Sequence, residues 1–336
     1  LMAATELTRA TVLAVCDDLC GRGWAVEVDD QRASGADYSL GRPARRFDFN
    51  ATAGLVLGVS FDASSATCLV TDARGRQLVR NSRRIPGLRA ARASRVDALA
   101  QLCAHAVAEA GAVVGPRPVL TATIAIPAPI DRSGSVVGAN EFWRAFDLNL
   151  VAELERRHGW SVRLENDANL AALAERWRGA AQGSDDVVVL MAGERIGAGV
   201  VVDGRVLHGA HGGVGEFGFL RLVEGVGSPE GMTALTQRWQ HDGLADDVIQ
   251  ERLVARMARV VAVGATLTNP ELVVLAGDAH VSPPMLAELS AAVADLMPDP
   301  PRLAVSPLGA DGVVLGAVRH GLDYLDAHAL GLDVTA

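Results

Sequence analysis

Residues 190–219 read LMAGERIGAGVVVDGRVLHGAHGGVGEFGF, and the rest of the chain is organised around this glycine-dense stretch. The apolar Val187-Val188-Val189-Leu190 that leads into it predicts a buried strand. Gly193, Gly197 and Gly199 then permit a tight turn and a close approach of backbone to a ligand. Gly199-Val200-Val201-Val202 predicts a second strand, and Asp203-Gly204 a hairpin turn with positive φ. From His208 to Gly218 a glycine-rich loop carries one carboxylate, Glu216. Each glycine costs ordering entropy, so such a loop needs a reason. Irregular packing and a backbone wrapped round a small polar ligand or anion are equally open.

Working outward, 336 residues and 35.1 kDa are enough for two or three domains with sizeable cores. No apolar run approaches a bilayer span, and no secretory leader is visible, so a soluble cytoplasmic protein without a membrane partner is expected. The chain starts at Leu1 rather than a methionine, which leaves room for residues upstream. Cys16, Cys20, Cys68 and Cys103 are scattered without a CxxC, which predicts free thiols in a reducing compartment. The net charge of −9 excludes whole-chain attraction to nucleic acid, so any DNA contact must come from a local patch. Every basic residue is arginine.

The first 28 residues predict helix, turn, helix and strand. Thr8 is placed to cap a helix, with Val12, Val15, Cys16 and Leu19 on one face; Gly21 and Gly23 end it. Thr8-Arg9-Ala10-Thr11-Val12, then Leu19, Gly23 and an extended segment, resemble the recognition helix and wing of a winged helix-turn-helix. Gly41-Arg42-Pro43 resembles the linker that follows this module in repressors of the ROK family (repressors, open reading frames and kinases). The resemblance implies base contacts from Thr8, Arg9 and Thr11; the cluster Arg42, Arg45 and Arg46 reads equally as a minor-groove contact or as a solvated linker. Leu13 and Ala14 stand where the family carries polar residues. Six arginines face eight carboxylates over residues 1–50, a poor balance for phosphate contact.

From Ala53 onward the chain resembles the sugar-kinase/actin-like (ribonuclease H-like) fold of ROK kinases, an α/β fold with two lobes. That implies a partial winged-helix segment at 1–50, a first lobe at 51–166 plus 315–336, and a second lobe at 167–314. The family's first phosphate turn, Asp-x-Gly-Gly-Thr, corresponds to Ser60-Phe61-Asp62-Ala63-Ser64. A carboxylate here beside a phosphate is repulsive by about 4 kcal/mol at roughly 4 Å. In the second phosphate loop, Glu194 and Arg195 replace Thr-Gly. Arg195 either binds an anion or fills the space a nucleotide would use, and filling is the expectation. Asp278 replaces a glycine in the adenosine loop.

The sugar side is better kept. Ala125-Ile126-Pro127-Ala128-Pro129-Ile130-Asp131 and the loop to Trp143 resemble the sugar-binding segment, where Asn140 matches the asparagine that holds the sugar. Glu165-Asn166-Asp167-Ala168-Asn169 puts two polar residues where a strand meets a helix. The resemblance makes Asp167 the kinase general base; by itself an Asp there equally serves as helix N-cap. His208-Gly209-Ala210 through Gly215-Glu216-Phe217-Gly218 resembles the family signature. Phe219 stands in place of the histidine shared by sugar and zinc, no cysteine occurs from Gly225 to Ala234, and Ala234 replaces a sugar-binding glutamate. The zinc site is therefore expected to be lost, with no cofactor. Asn140, Asn166, Asp167 and Glu216 remain as the implied ligand set. The function implied is a non-catalytic, sugar-responsive transcriptional regulator, expected to be a repressor. Its implied partners are operator DNA, a sugar or sugar-phosphate effector, and a second copy of the chain. The alternatives are a hexose kinase using ATP and a ligand-silent dimer.

Overall fold

Alternating apolar and polar runs build two sheets of the same design, joined by two helices. The computed structural model describes residues 1–28, 45–220, 223, 226–277 and 280–328. The linker residues Gly41, Arg42 and Pro43, as well as Gly225, Asp278 and the end of the chain after His328, lie outside the described residues.

The chain opens with α1 (Met2–Thr5) and α2 (Arg9–Gly21), followed by β1 (Ala25–Val28), which pairs antiparallel with β2 (Arg46–Phe49). Cys16 is buried on α2 as expected, but Val15 stays 47% exposed. Trp24 is buried in a cluster with Ala53, Val56 and Leu69 of the next unit, stacks on Phe49, and so fastens this segment to the body.

The first sheet follows: β3 (Leu55–Phe61), β4 (Ser65–Asp72), β5 (Gln77–Arg84), then α3 (Arg92–Val114), β6 (Val119–Ile126), α4 (Glu141–Arg144), α5 (Leu150–His158) and β7 (Val162–Asn166). Strand order is β5-β4-β3-β6-β7, with the first three antiparallel and β6 and β7 parallel to β3. β3 is apolar on both faces because both are covered, by α3 and α5 on one side and by the final helix on the other.

After α6 (Asp167–Arg178) the pattern repeats. β8 (Val187–Met191), β9 (Gly197–Val202), β10 (Arg205–Val206), α7 (Met232–His241), α8 (Asp246–Thr268), β11 (Leu272–Ala276), α9 (Pro283–Leu296) and β12 (Arg302–Val305) give the order β10-β9-β8-β11-β12. The Asp203-Gly204 turn joins β9 to β10 with φ of 49° and 73°, the positive values such a turn requires. α7, α8 and α9 cover one face of this sheet, and α6 lies on the other. The last helix, α10 (Gly312–His328), crosses α6 and lies on β3 and β6. No described helix is long and apolar enough to cross a membrane.

Candidate functional site

The parallel strand β7 delivers Asn166 and Asp167 to the point where α6 begins. The cap of α6 is Asn166, not Asp167. Its Oδ1 accepts from Ala168 N (2.9 Å) and Asn169 N (3.2 Å), while its Nδ2 donates to the Ala128 carbonyl (3.2 Å). Asn166 thus spends most of its hydrogen-bonding capacity holding the helix to the Pro-Ala-Pro loop. Asp167 is released from that duty. One of its oxygens accepts from Ala168 N (2.8 Å), and it borders a cleft of about 450 Å3 between the two sheets.

Asn140 and Glu216 line the same cleft, so all four residues singled out on the sugar side come together. Asn140 caps the short α4 through Trp143 N (2.9 Å). Glu216 arrives from the second unit on the glycine-rich loop. The glycines explain its placement. A Cβ at Gly199 would overlap the Ala168 carbonyl oxygen, and one at Gly215 would overlap the Ala198 carbonyl oxygen. Backbone therefore rests on backbone at the start of α6, and Glu216 is drawn towards Asp167. Gly199 and Gly215 serve packing, while Gly197 and Gly218 line the cleft.

Burial pushes the Asp167 carboxyl up to about 7, helped by the nearby carboxylates of Asp62 and Glu216, despite the helix N-terminus and the Ala168 N–H. Burial likewise lifts Glu216 to about 7, against the pull of Arg195. Near neutrality both carboxyls exchange protons and can donate to or accept from hydroxyl groups. A third carboxylate, Glu165, has a different role. It is buried, pairs with His208 (Nε2 to Oε2, 2.9 Å), and accepts from Asn169 Nδ2 (3.0 Å). These bonds hold it below the ordinary carboxylate range although burial opposes them.

At the turn Asp62-Ala63-Ser64 the Asp62 carboxyl accepts from Ala63 N at 2.6 Å. Arg195 lines the same cleft, with its guanidinium 3.9 Å from the centre of the Phe142 ring. The aromatic wall made by Phe142, Trp143 and Phe219 was not anticipated from sequence, although Glu141-Phe142-Trp143 directly follows Asn140. Among the described residues no cluster of three or more His, Cys, Asp or Glu is placed to hold a metal, and all four cysteines are free and lie elsewhere.

In the N-terminal segment, Thr8 Oγ1 accepts from Thr11 N (3.3 Å) and bonds the Thr11 hydroxyl (2.9 Å), which makes it the cap of α2. Arg9 is exposed on the first turn. Arg45 is held by Glu27 (2.9 Å) and Asp17 (2.7 Å) and lies over the Phe47 ring. Arg46 lies at the start of β2, and Arg42 is outside the described residues.

Comparison with known proteins fits this geometry. A model of the ROK family matches residues 56–234. The chain belongs to that family. It is 31% identical to a glucokinase of Thermotoga maritima over 58% of this chain and 76% of the relative. It is 25% identical to the xylose repressor of Bacillus subtilis over 65% of this chain and 54% of the relative. Several relatives are matched over much less: the chain spans about a quarter of the Halalkalibacterium halodurans glucokinase, at 38% identity over 26% of each. Among solved structures, a ROK family transcriptional regulator described as a homologue of Escherichia coli MLC shares the fold. Its TM-score is 0.75 at 20% identity, over 100% of this chain and 93% of that one. The ROK hexokinase of Thermus thermophilus gives 0.63 at 28% identity, over 81% and 99%. The fold is thus the two-lobed α/β, actin-like one, and relatives within this ROK family include both repressors and kinases.

Proposed function

We propose that this ROK chain is a sugar-responsive transcriptional regulator, a non-catalytic repressor acting as a homodimer on operator DNA. One observation carries the reading. Asn140, Asn166, Asp167 and Glu216, the residues proposed to bind hydroxyls, share one cleft, while the turn matched to the kinase phosphate loop holds the Asp62 side chain. Residues 51–166 with 315–336 are taken as one lobe and 167–314 as the other, closing on a sugar or sugar-phosphate effector. Closure would shift the N-terminal segments, which are fastened to the first unit through Trp24. Within that segment Thr8, Arg9, Thr11, Arg42, Arg45 and Arg46 are the proposed DNA contacts. Arg45 would have to leave Asp17 and Glu27 to reach a phosphate, so Arg9 and Thr11 carry more weight.

The test is a gel shift on DNA upstream of the chain's own gene, with and without a panel of sugars, alongside thermal shift with the same panel. Sugar-dependent release of DNA is expected, and Asp167→Asn should blunt it. A sugar response unchanged in that variant would overturn the proposal. One observation favours a second reading, a sugar kinase: Asp167, near 7, is suited to take a proton from a hydroxyl. Turnover of ATP with any hexose would establish it, and no ATP binding at millimolar concentration would remove it.

A further inference from the structure

The aromatic wall of the cleft points to the size and character of the ligand. Phe219 is 54% exposed, unusual for a phenylalanine in a concave site. Its edge meets Trp143 with ring centres 5.1 Å apart and planes at 67°, which fixes the ring and leaves apolar surface facing the cleft. Trp143 is buried, so it is a firm backing. Beside it, Phe142 packs on Phe146 at 5.3 Å, Phe146 packs on Phe61 at 6.1 Å, and the buried Arg95 guanidinium lies about 5 Å from both Phe61 and Phe146. This chain of ring contacts anchors the wall in the core of the first unit. The outer face of Phe142 carries the Arg195 guanidinium, which makes no hydrogen bond among the described residues.

The cleft of about 450 Å3 also exceeds one hexose. A pyranose of about twelve non-hydrogen atoms, at interior packing density, fills roughly 200 Å3. The polar groups Asn140, Asp167 and Glu216 serve one ring's worth of hydroxyls; apart from Glu141, Asn166 and Arg195, the rest of the lining is aromatic, aliphatic or glycine, including Met191, Ile196 and Pro229.

We propose that the cleft binds a glycoside with two rings. One sugar ring is held by Asn140, Asp167 and Glu216; the second ring lies flat against Phe219, bordered by Phe142 and Arg195. This rests on the sugar-cleft reading above and adds Phe219 as the residue that sets ligand size. The second ring needs only an apolar face, which either a second sugar or an aryl group supplies.

Calorimetry on the intact chain with glucose, cellobiose and an aryl β-glucoside separates the cases, using wild type, Phe219→Ala and Phe219→Leu. Two-ring ligands should bind at least about 10-fold tighter than glucose. Phe219→Ala should weaken them by about 5- to 30-fold and glucose by less than about 3-fold, with Phe219→Leu intermediate. Cellobiose binding above the aryl glycoside assigns the second subsite to sugar, and the reverse order assigns it to an aromatic group. Glucose binding as tightly as both two-ring ligands, with Phe219→Ala without effect, would overturn the size proposal and leave the sugar cleft standing. No binding of any of the three by wild type, with Asp167→Asn equally inert in thermal shift, would overturn both.

Discussion

Asp167 and Asn166 are neighbours with opposite duties, and their substitutions should behave differently. Asn166 caps α6 and ties it to Ala128, so Asn166→Ala should cost about 1–2 kcal/mol, read from urea unfolding. Asp167→Ala leaves that cap intact and should not show this loss. The Asp167 carboxyl is raised to about 7 in the folded chain, against an ordinary value near 3.9. The folded state therefore holds the proton more tightly. The resulting stabilisation is complete below about pH 4 and disappears as pH rises through 7. Wild type should lose stability between pH 5 and pH 8, and Asp167→Asn should lose less, by on the order of 1–2 kcal/mol. That figure is discounted for the water the carboxyl meets in the cleft. Equal slopes in the two proteins would show that Asp167 is ionised throughout. The sequence placed Asn166 and Asp167 at the strand-helix junction, but which of the two capped the helix depended on the Ala128 carbonyl, 38 residues earlier.

At the scale of elements, glycine decides how closely the two units approach. Gly316 on α10 has no room for a side chain, because a Cβ there would overlap the Leu170 carbonyl of α6. Gly316→Ala should destabilise by about 1–3 kcal/mol or more through forced separation of the two helices. Gly21, at the end of α2, has nothing within 4 Å of the corresponding position, so Gly21→Ala should change stability by less than about 1 kcal/mol. Thermal unfolding of both variants checks the contrast. The strands read from apolar runs at Val187–Leu190 and Gly199–Val202 fall within β8 and β9, since such patterning is a local property. Gln77–Arg84 is an edge strand with mostly exposed, arginine-rich residues, and pairing with β4 holds it extended where the side chains give no alternation.

For the whole molecule, His208 and Glu165 join the two units. Glu165 is the penultimate residue of β7 in the first sheet, and His208 follows β10 of the second. The Glu165 hydrogen bond raises the His208 pKa, so that part of the stabilisation is full below about pH 6.5 and lost as pH rises through the higher folded value. Glu165 is depressed, so its share is present above about pH 4.5 and lost on acidification. His208→Gln should therefore cost most near pH 6 and least near pH 9, followed by thermal unfolding at both pH values. The sequence by itself determined the α/β pattern and the family. These are fixed by residue identity and local spacing. Tertiary structure alone decided that Glu216 comes to Asp167, that Arg195 lies on Phe142, and that Phe219 is exposed against Trp143. Each depends on residues far apart in the chain meeting at the cleft, which local pattern cannot encode.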